Sequence, residues 1–448
     1  MEAATDPQLT HIELYPLLAS ITAATDLISR VLVDHHHKVA FLAATLGQAL
    51  GWDEQSRRRA TLAGAVHDIG GLSLKTRLES FEFEVINPDR HTLPGSSLLA
   101  SFAPFADLAR IIRFHHVPWL AGRGVEERGE EVPLLSHLIH LADRVAVQLT
   151  PEREILSQKG EIIEVITAGA GERFVPEFVE AFREVASREA FWLDLSSPTV
   201  GAILQERLPL GGMDLGRGDL MALAEMLRRV IDFRSRFTAT HSSGVAAVAC
   251  AVAESAGFEQ QSPDKVRMAG LLHDIGKLVV PAEILEKHHA LDKDDFAVIF
   301  KHPYYSQAIL RGIEGFDEIS AWGGLHHERL DGSGYPYRRK GAEIPVGARI
   351  LAVADTFTAL MEDRPYRCGI SAAGTGRIMQ DMAAHSKLDR DLVALIQAHI
   401  QEINDRRYEA QMVADQSHRL FLEESRLLGG HLETDDRCPA PGPSCPST

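Results

Sequence analysis

One set of residues occurs twice in this chain, in the same order, and it limits the fold more than any other feature of the sequence. His35, His67-Asp68, His91, His115-His116 and Asp143 in the first half are answered by His241, His273-Asp274, His302, His326-His327 and Asp355 in the second. The step from the first His to the HD dipeptide is 32 residues in both copies, and the step from the third His to the HH pair is 24 in both. The other two steps are 24 against 29 and 27 against 28. The surroundings repeat as well: AGAVHDIG and AGLLHDIG, then HLADRV and AVADTF. One HD dipeptide says almost nothing. Seven matched positions set 206 residues apart at their start define a duplication, and the length of 448 residues suits two like domains.

The periodicity is helical. Ile350, Val353, Ala354, Phe357, Leu360 and Met361 follow the spacing of an amphipathic helix. Ser262-Pro263-Asp264 reads as a cap, a proline at the first helical position and an early acid, opening a helix that is expected to run to about Leu278. Asp292 is expected to cap a helix carrying Phe296, Ile299 and Phe300, and a long helical pattern covers residues 389–428. With no series of alternating strands, the expected fold is all-α, two tandem helical domains. The segment Pro209–Gly218 holds four glycines in eight positions from Gly211 and reads as a hinge. The expected division is an N-terminal domain over 1–205, a Gly-rich connector over 206–224, a second domain over 225–428 with a long C-terminal helix, and a disordered Pro-rich tail over 429–448.

Composition removes several classes of function. With 46 basic and 63 acidic residues the net charge is −17, which lacks the basic footprint of a nucleic-acid polymer binder. The longest wholly apolar run, Val245–Ala253, is too short to span a bilayer, and the N-terminus has no signal-peptide pattern. A cytoplasmic protein with no membrane partner is expected. Cys250, Cys368, Cys438 and Cys445 are scattered, without metal-ligand pairing, and no disulfide framework is expected.

Histidine is the outlying count: 21, of which sixteen fall within 35–143 and 241–355. Imidazoles mixed with carboxylates suit Mn, Fe, Ni or Zn better than Ca or Mg. A shared Asp274 could bridge two metals, one on His241, His273 and Asp355, the other on His302, His326 and His327. Such a pair suits phosphate-ester hydrolysis, because it activates water at neutral pH and clamps the attacking and leaving oxygens. His36 and His37 are read as helix neighbours of His35, since His35 lies four before Val39 as His241 lies four before Val245. His137, His140, His288 and His289 are read as ordinary surface or core histidines, and Arg338-Arg339-Lys340 as a solvated loop.

The second half reads HDIGK at His273–Lys277, then KHPYYSQAIL, then HHERLDGSGYPYRRKGAEIPVGARILAVADTFTALMEDRPYR from His326 to Arg367. Over residues 225–405 this resembles the HD-GYP family of bacterial cyclic-dinucleotide phosphodiesterases, a branch of the HD metal-dependent phosphohydrolases. Residues 20–195 resemble the same HD domain without the GYP loop. The resemblance implies hydrolysis of cyclic di-GMP or 3′3′-cyclic GMP-AMP to a linear 5′-phosphorylated dinucleotide. It implies the metal ligands His241, His273, Asp274, His302, His326, His327 and Asp355. Iron or manganese is expected before zinc, nickel or magnesium. Lys277 is expected beside the scissile phosphate, Tyr335 over the substrate, and Arg364 and Arg367 on phosphate or a guanine edge. Three-metal members carry Glu where this chain has Phe237, so two metals are expected. Thr358 and Ser306 also depart from the family pattern.

The first copy keeps its whole set, His35, His67, Asp68, His91, His115, His116 and Asp143, but Gly71 replaces the lysine. A second pair of metals is expected there, together with removal of the 5′-phosphate made by the other domain. The alternative from a different class is a non-catalytic sensor that binds a cyclic dinucleotide and signals through protein contacts; a third is a nucleotide phosphohydrolase without a cyclic substrate. A signalling partner or a homodimer fits any of these.

Overall fold

The computed structural model describes residues 9–26, 34–71, 76, 79–80, 82–232, 240–258, 263–285, 287, 291–363 and 368–427. Arg364, Arg367, Phe237, His288, His289 and the tail lie outside them. The chain divides into two units at Ala222–Leu223. Both are helical, with two-stranded pairings as the sheets found among the described residues.

Each unit is built around the helix that opens on its first repeated histidine. In the first, His35–Ala49 packs against Glu54–Val66, Leu134–Ala146, Pro176–Ala186 and Val200–Arg207. In the second, His241–Ser255 packs against Pro263–Leu272, Val346–Met361 and Ile400–Leu427. The apolar run Val245–Ala253 occupies this second helix. Side chains that are apolar all round suit a helix enclosed by neighbours, and Val245, Val248, Ala249 and Val252 are fully buried. Glycine sets the distance of closest approach. A Cβ on Gly270 would lie 2.5 Å from the Cα of Ala246, and one on Gly64 would lie 3.0 Å from the Cα of Ala40. The glycine of each AG(A/L)(V/L)HD stretch therefore lets the HD helix lie directly on the central helix.

Several expected boundaries move. The helix opened by Pro263 stops at Leu272, because His273 and Asp274 form a turn and Ile275–Val279 is a 3₁₀ segment. The pattern over 389–428 is two helices, Arg390–Ala398 and Ile400–Leu427, parted at His399. Asp292 does cap Lys293–Ile299, in a capping box with Asp295. The Gly-rich stretch expected as a hinge is ordered in part. Gly212–Leu215 pairs antiparallel with Thr10–Glu13, with Ile12 and Leu215 buried, and helix Arg217–Asp232 follows. The strand partner lies some two hundred positions away, so local periodicity carries no sign of it. Cys250 is a free thiol; Cys368 is in a disulfide whose partner lies outside the described residues, which scattered cysteines did not lead us to expect. No helix among the described residues is long and apolar enough to cross a membrane.

Candidate metal centres

Most of the ligand-type histidines sit at helix ends, while Asp143 and Asp355 lie within Leu134–Ala146 and Val346–Met361. His67 follows the last turn of Glu54–Val66, and His273 follows Pro263–Leu272. A helix leaves its last carbonyls without an intrahelical donor. Here an imidazole supplies one: His67 Nδ1 donates to Gly64 O (2.9 Å) and His273 Nδ1 to Gly270 O (2.8 Å). His115, His302 and His326 do the same to the carbonyl three residues back, at 2.7, 2.7 and 2.6 Å. A proton held on Nδ1 leaves Nε2 as the lone-pair nitrogen, the state a metal takes.

In the second unit these Nε2 atoms converge on two carboxylates. Asp274 lies between the groups: Oδ2 is 3.2 Å from His273 Nε2, and Oδ1 is 3.2 Å from His302 Nε2 and 3.9 Å from His326 Nε2. His241 Nε2 meets Asp355 Oδ1 at 3.1 Å, and His327 Nδ1 lies 4.0 Å from Asp355 Oδ2. One group of ligand atoms is His241, His273 and Asp355; another is His302, His326 and His327. Buried His273 Nε2 and Asp274 Oδ1 make no hydrogen bond, so donor-poor atoms face one another as they do around a cation. Burial pushes His327 down to about 3. Burial alone would raise Asp274, but the neighbouring His273 and Lys277 outweigh it and hold the carboxyl well below the usual range. A neutral His327 beside an ionised Asp274 suits metal binding. The residues present fit a divalent metal.

Lys277 lies against the cluster: its Nζ is 2.5 Å from Asp274 Oδ2. Tyr335 stacks on Phe300 (ring centroids 4.2 Å) and tilts over His327 (4.9 Å), so the GYP segment roofs this side of the cluster. Burial raises its phenol pKa. Glu328, missed in the sequence, fixes that roof. Its buried carboxylate accepts the backbone N–H groups of Tyr337, Arg338 and Arg339 at 2.6, 3.1 and 3.1 Å. The Arg338-Arg339-Lys340 run is exposed. Ser306 is a clamp, donating to His273 O (2.6 Å) and accepting from Gly276 N (2.9 Å). Glu362 is a second missed residue. It takes the Nδ1 side of His241 at 2.9 Å, is itself bonded by Gln411, and Gln411 is bonded by Arg407.

The first unit assembles its own seven. His35 Nε2 lies 3.2 Å and His67 Nε2 3.6 Å from Asp143 Oδ1. Asp68 Oδ1 lies 3.4 Å from His91 Nε2 and 3.7 Å from His115 Nε2, and His116 Nε2 is 2.9 Å from His91 Nε2. Asp68, His91, His115 and His116 form one group; His35, His67 and Asp143 form another. Buried His115 Nε2 and Asp143 Oδ1 make no hydrogen bond. Burial pushes His91 down to about 3. Two supports differ from the second unit. Ser80 Oγ donates to Asp68 Oδ2 at 2.9 Å. Arg144, fully buried, places NH2 2.5 Å from Asp143 Oδ2 and 2.8 Å from Ser80 O, and its NH1 bonds Glu82 O. The dipeptide Asp143-Arg144 was the only sequence signal for this clamp. His137 and His140 are buried, and His137 Nδ1 bonds Val117 O.

Two helical bundles whose helix ends gather five imidazoles and two carboxylates each define the chain as a tandem HD-domain metal-dependent phosphohydrolase. Residues 32–148 and 225–392 each match the HD domain family. The 3′3′-cGAMP-specific phosphodiesterase 1 of Vibrio cholerae is 30% identical over 403 residues, 88% of this chain and 93% of that one. The cyclic di-GMP phosphodiesterase response regulator RpfG of Xanthomonas campestris is 40% identical over 143 residues, 32% of this chain and 38% of that one. The crystal structure of a cyclic GMP-AMP-specific phosphodiesterase of V. cholerae, V-cGAP3, shares the fold with TM-score 0.62 at 23% identity, over 88% of this chain and 98% of that chain. The chain belongs to the HD-GYP family of cyclic-dinucleotide phosphodiesterases.

Proposed function

We propose that the second unit opens a cyclic dinucleotide to its linear, 5′-phosphorylated form, and that the first unit then removes the 5′-phosphate. The observation that carries the first step is the pairing of a complete His/Asp cluster with a Tyr335 roof that touches the cluster residue His327. Among candidate substrates 3′3′-cyclic GMP-AMP comes before cyclic di-GMP, since the relative that spans most of this chain is named for it.

His241, His273 and Asp355, His302, His326 and His327, and Asp274 would hold two divalent ions, iron or manganese, which would supply Lewis acidity to water and to the phosphate oxygens. The chain's own residues do the rest. Asp274 carries charge to both groups, and Lys277 offsets it with a cation at the edge of the cluster. Tyr335 offers a ring face and a hydroxyl over the same edge. By resemblance to the family, Arg364 and Arg367 are assigned to phosphate or a guanine edge of the substrate. Water adds to phosphorus, the P–O3′ bond breaks, and the 3′ oxygen leaves as a hydroxyl. In the first unit water and the phosphomonoester give a free 5′-hydroxyl and inorganic phosphate.

The test is a product assay on both cyclic dinucleotides after reconstitution with Mn or Fe. Ring opening followed by release of inorganic phosphate is expected. Binding without turnover would favour the sensor reading. Wild-type protein that stops at the 5′-phosphorylated product would remove the second step alone.

A further inference from the structure

A cavity of about 140 Å³ opens beside His116 in the first unit. It lies at the edge of the ligand group Asp68, His91, His115 and His116, and His116 itself lines it. Phe114 and Pro118 give it apolar walls. Its polar lining includes Asp89, Thr92, Arg113 and Arg128. We propose that this cavity holds the purine base of the nucleotide whose 5′-phosphate the first unit removes. The inference rests on the phosphatase reading above and names the part of the substrate that reading leaves unplaced.

Three observations converge. The first is Thr92: the residue is 1% exposed and lines the cavity, and its buried Oγ1 makes no hydrogen bond. A buried hydroxyl without a partner costs stability unless a ligand meets it. The second is charge. Arg113 NH2 lies 3.2 Å from Glu130 and Arg128 NH2 lies 2.8 Å from Asp89, so each guanidinium already faces a carboxylate. Another anion would have to displace one. A neutral heterocycle with donors and acceptors on one edge need not, and guanine O6 and N7 accept from arginine while its N–H groups donate to a carboxylate. The third is the duplication itself. From the third His to the HH pair the copies run in step, 211 residues apart, which sets Asp89 against Phe300, Thr92 against Pro303 and Arg113 against Gly324. In the second unit Phe300, the counterpart of Asp89, stacks on Tyr335. Arg128 sits instead on the hairpin turn between Glu126–Glu127 and Glu130–Glu131, in the segment that replaces the GYP loop. Asp89, Thr92 and Arg113 thus have no polar counterpart at Phe300, Pro303 and Gly324 of the second copy. Its size also limits the ligand: below the roughly 300–1,000 Å³ of sites that enclose a drug-sized molecule, it takes one base and not a cyclic dinucleotide.

Arg128 is half exposed on a turn, so Arg128→Ala spares the core. Steady-state phosphate release by the full chain is to be compared for the 5′-phosphorylated linear dinucleotide and for ribose 5-phosphate, which has no base. Arg128→Ala and Thr92→Val should each raise KM for the dinucleotide, by about tenfold for Arg128→Ala, with ribose 5-phosphate unchanged; Arg128→Lys should not restore the loss. An equal effect on both substrates, or none on either, overturns the proposal. Equilibrium binding of guanosine 5′-monophosphate to the full chain carrying Asp274→Ala gives a readout that needs no turnover. Affinity that falls with Arg128→Ala in a protein that releases no phosphate would leave the base pocket standing and remove the phosphatase. Unchanged affinity, or no binding at all, removes the pocket even if phosphate is released.

Discussion

Asp274 is the residue on which both groups of the second unit depend, with one oxygen toward His273 and the other toward His302. Asp274→Ala should lose metal and cyclic-dinucleotide hydrolysis together, and metal analysis alongside a product assay checks both. Substantial activity in a metal-replete variant would reject the site. Glu362 acts one bond further out. A partner on the far nitrogen of a ligating imidazole fixes the ring and raises its basicity, and losing such a partner typically weakens metal binding by about 10–100-fold. Glu362→Ala should therefore weaken Mn(II) binding in that range while Glu362→Gln, which keeps a hydrogen-bonding oxygen, loses less. Titration followed by electron paramagnetic resonance reads this without turnover, and equal affinity in all three proteins would make Glu362 a bystander.

At the scale of elements, the glycines of HDIG hold the turn against the helix that brings the next histidine. A Cβ on Gly276 would lie 2.0 Å from His302 O, and one on Gly70 would lie 2.0 Å from His91 O. Gly276→Ala should cost at least about 1–3 kcal/mol, the range for overpacked cores, measurable by denaturant unfolding. The GYP segment is held by Glu328, so Glu328→Ala should raise KM for the cyclic substrate with metal content unchanged; a KM equal to wild type would mean that the three N–H bonds do not shape the roof. These elements also show what a sequence can and cannot display. The ligands were legible because the two copies keep the same order and the same steps of 32 and 24 between them. The helix Val346–Met361 was legible from the spacing of its apolar residues. Glu328, Glu362, Ser80 and Arg144 were not, because an ordinary acid, serine or arginine becomes a support only when a turn or a distant helix closes on it. The Gly212–Leu215 strand was hidden for the same reason: four residues with a partner at the other end of the unit leave no period to read.

At the scale of the whole chain, the two copies should separate by function. His67→Ala together with Asp68→Ala should leave ring opening intact and make the 5′-phosphorylated linear product accumulate, as chromatography of the products would show. The same double variant should hold about two metals per chain, given Phe237 in place of a third-metal ligand, and a stable third equivalent would contradict the count. The copies differ in Lys277 and the Tyr335 roof on one side and in Arg144 and the Arg128 hairpin on the other.

The pairing of Thr10–Glu13 with Gly212–Leu215 brings the first unit's entry and exit strands side by side. Closing so long a loop is entropically tolerable, since its cost grows only with the logarithm of length. A segment whose two ends meet can be excised, re-ordered or inserted elsewhere with little change to its interior. The first copy is thus portable in a genetic sense. A duplication that landed with its ends already tied could drift toward a different ester without the drift being felt through the backbone of its neighbour.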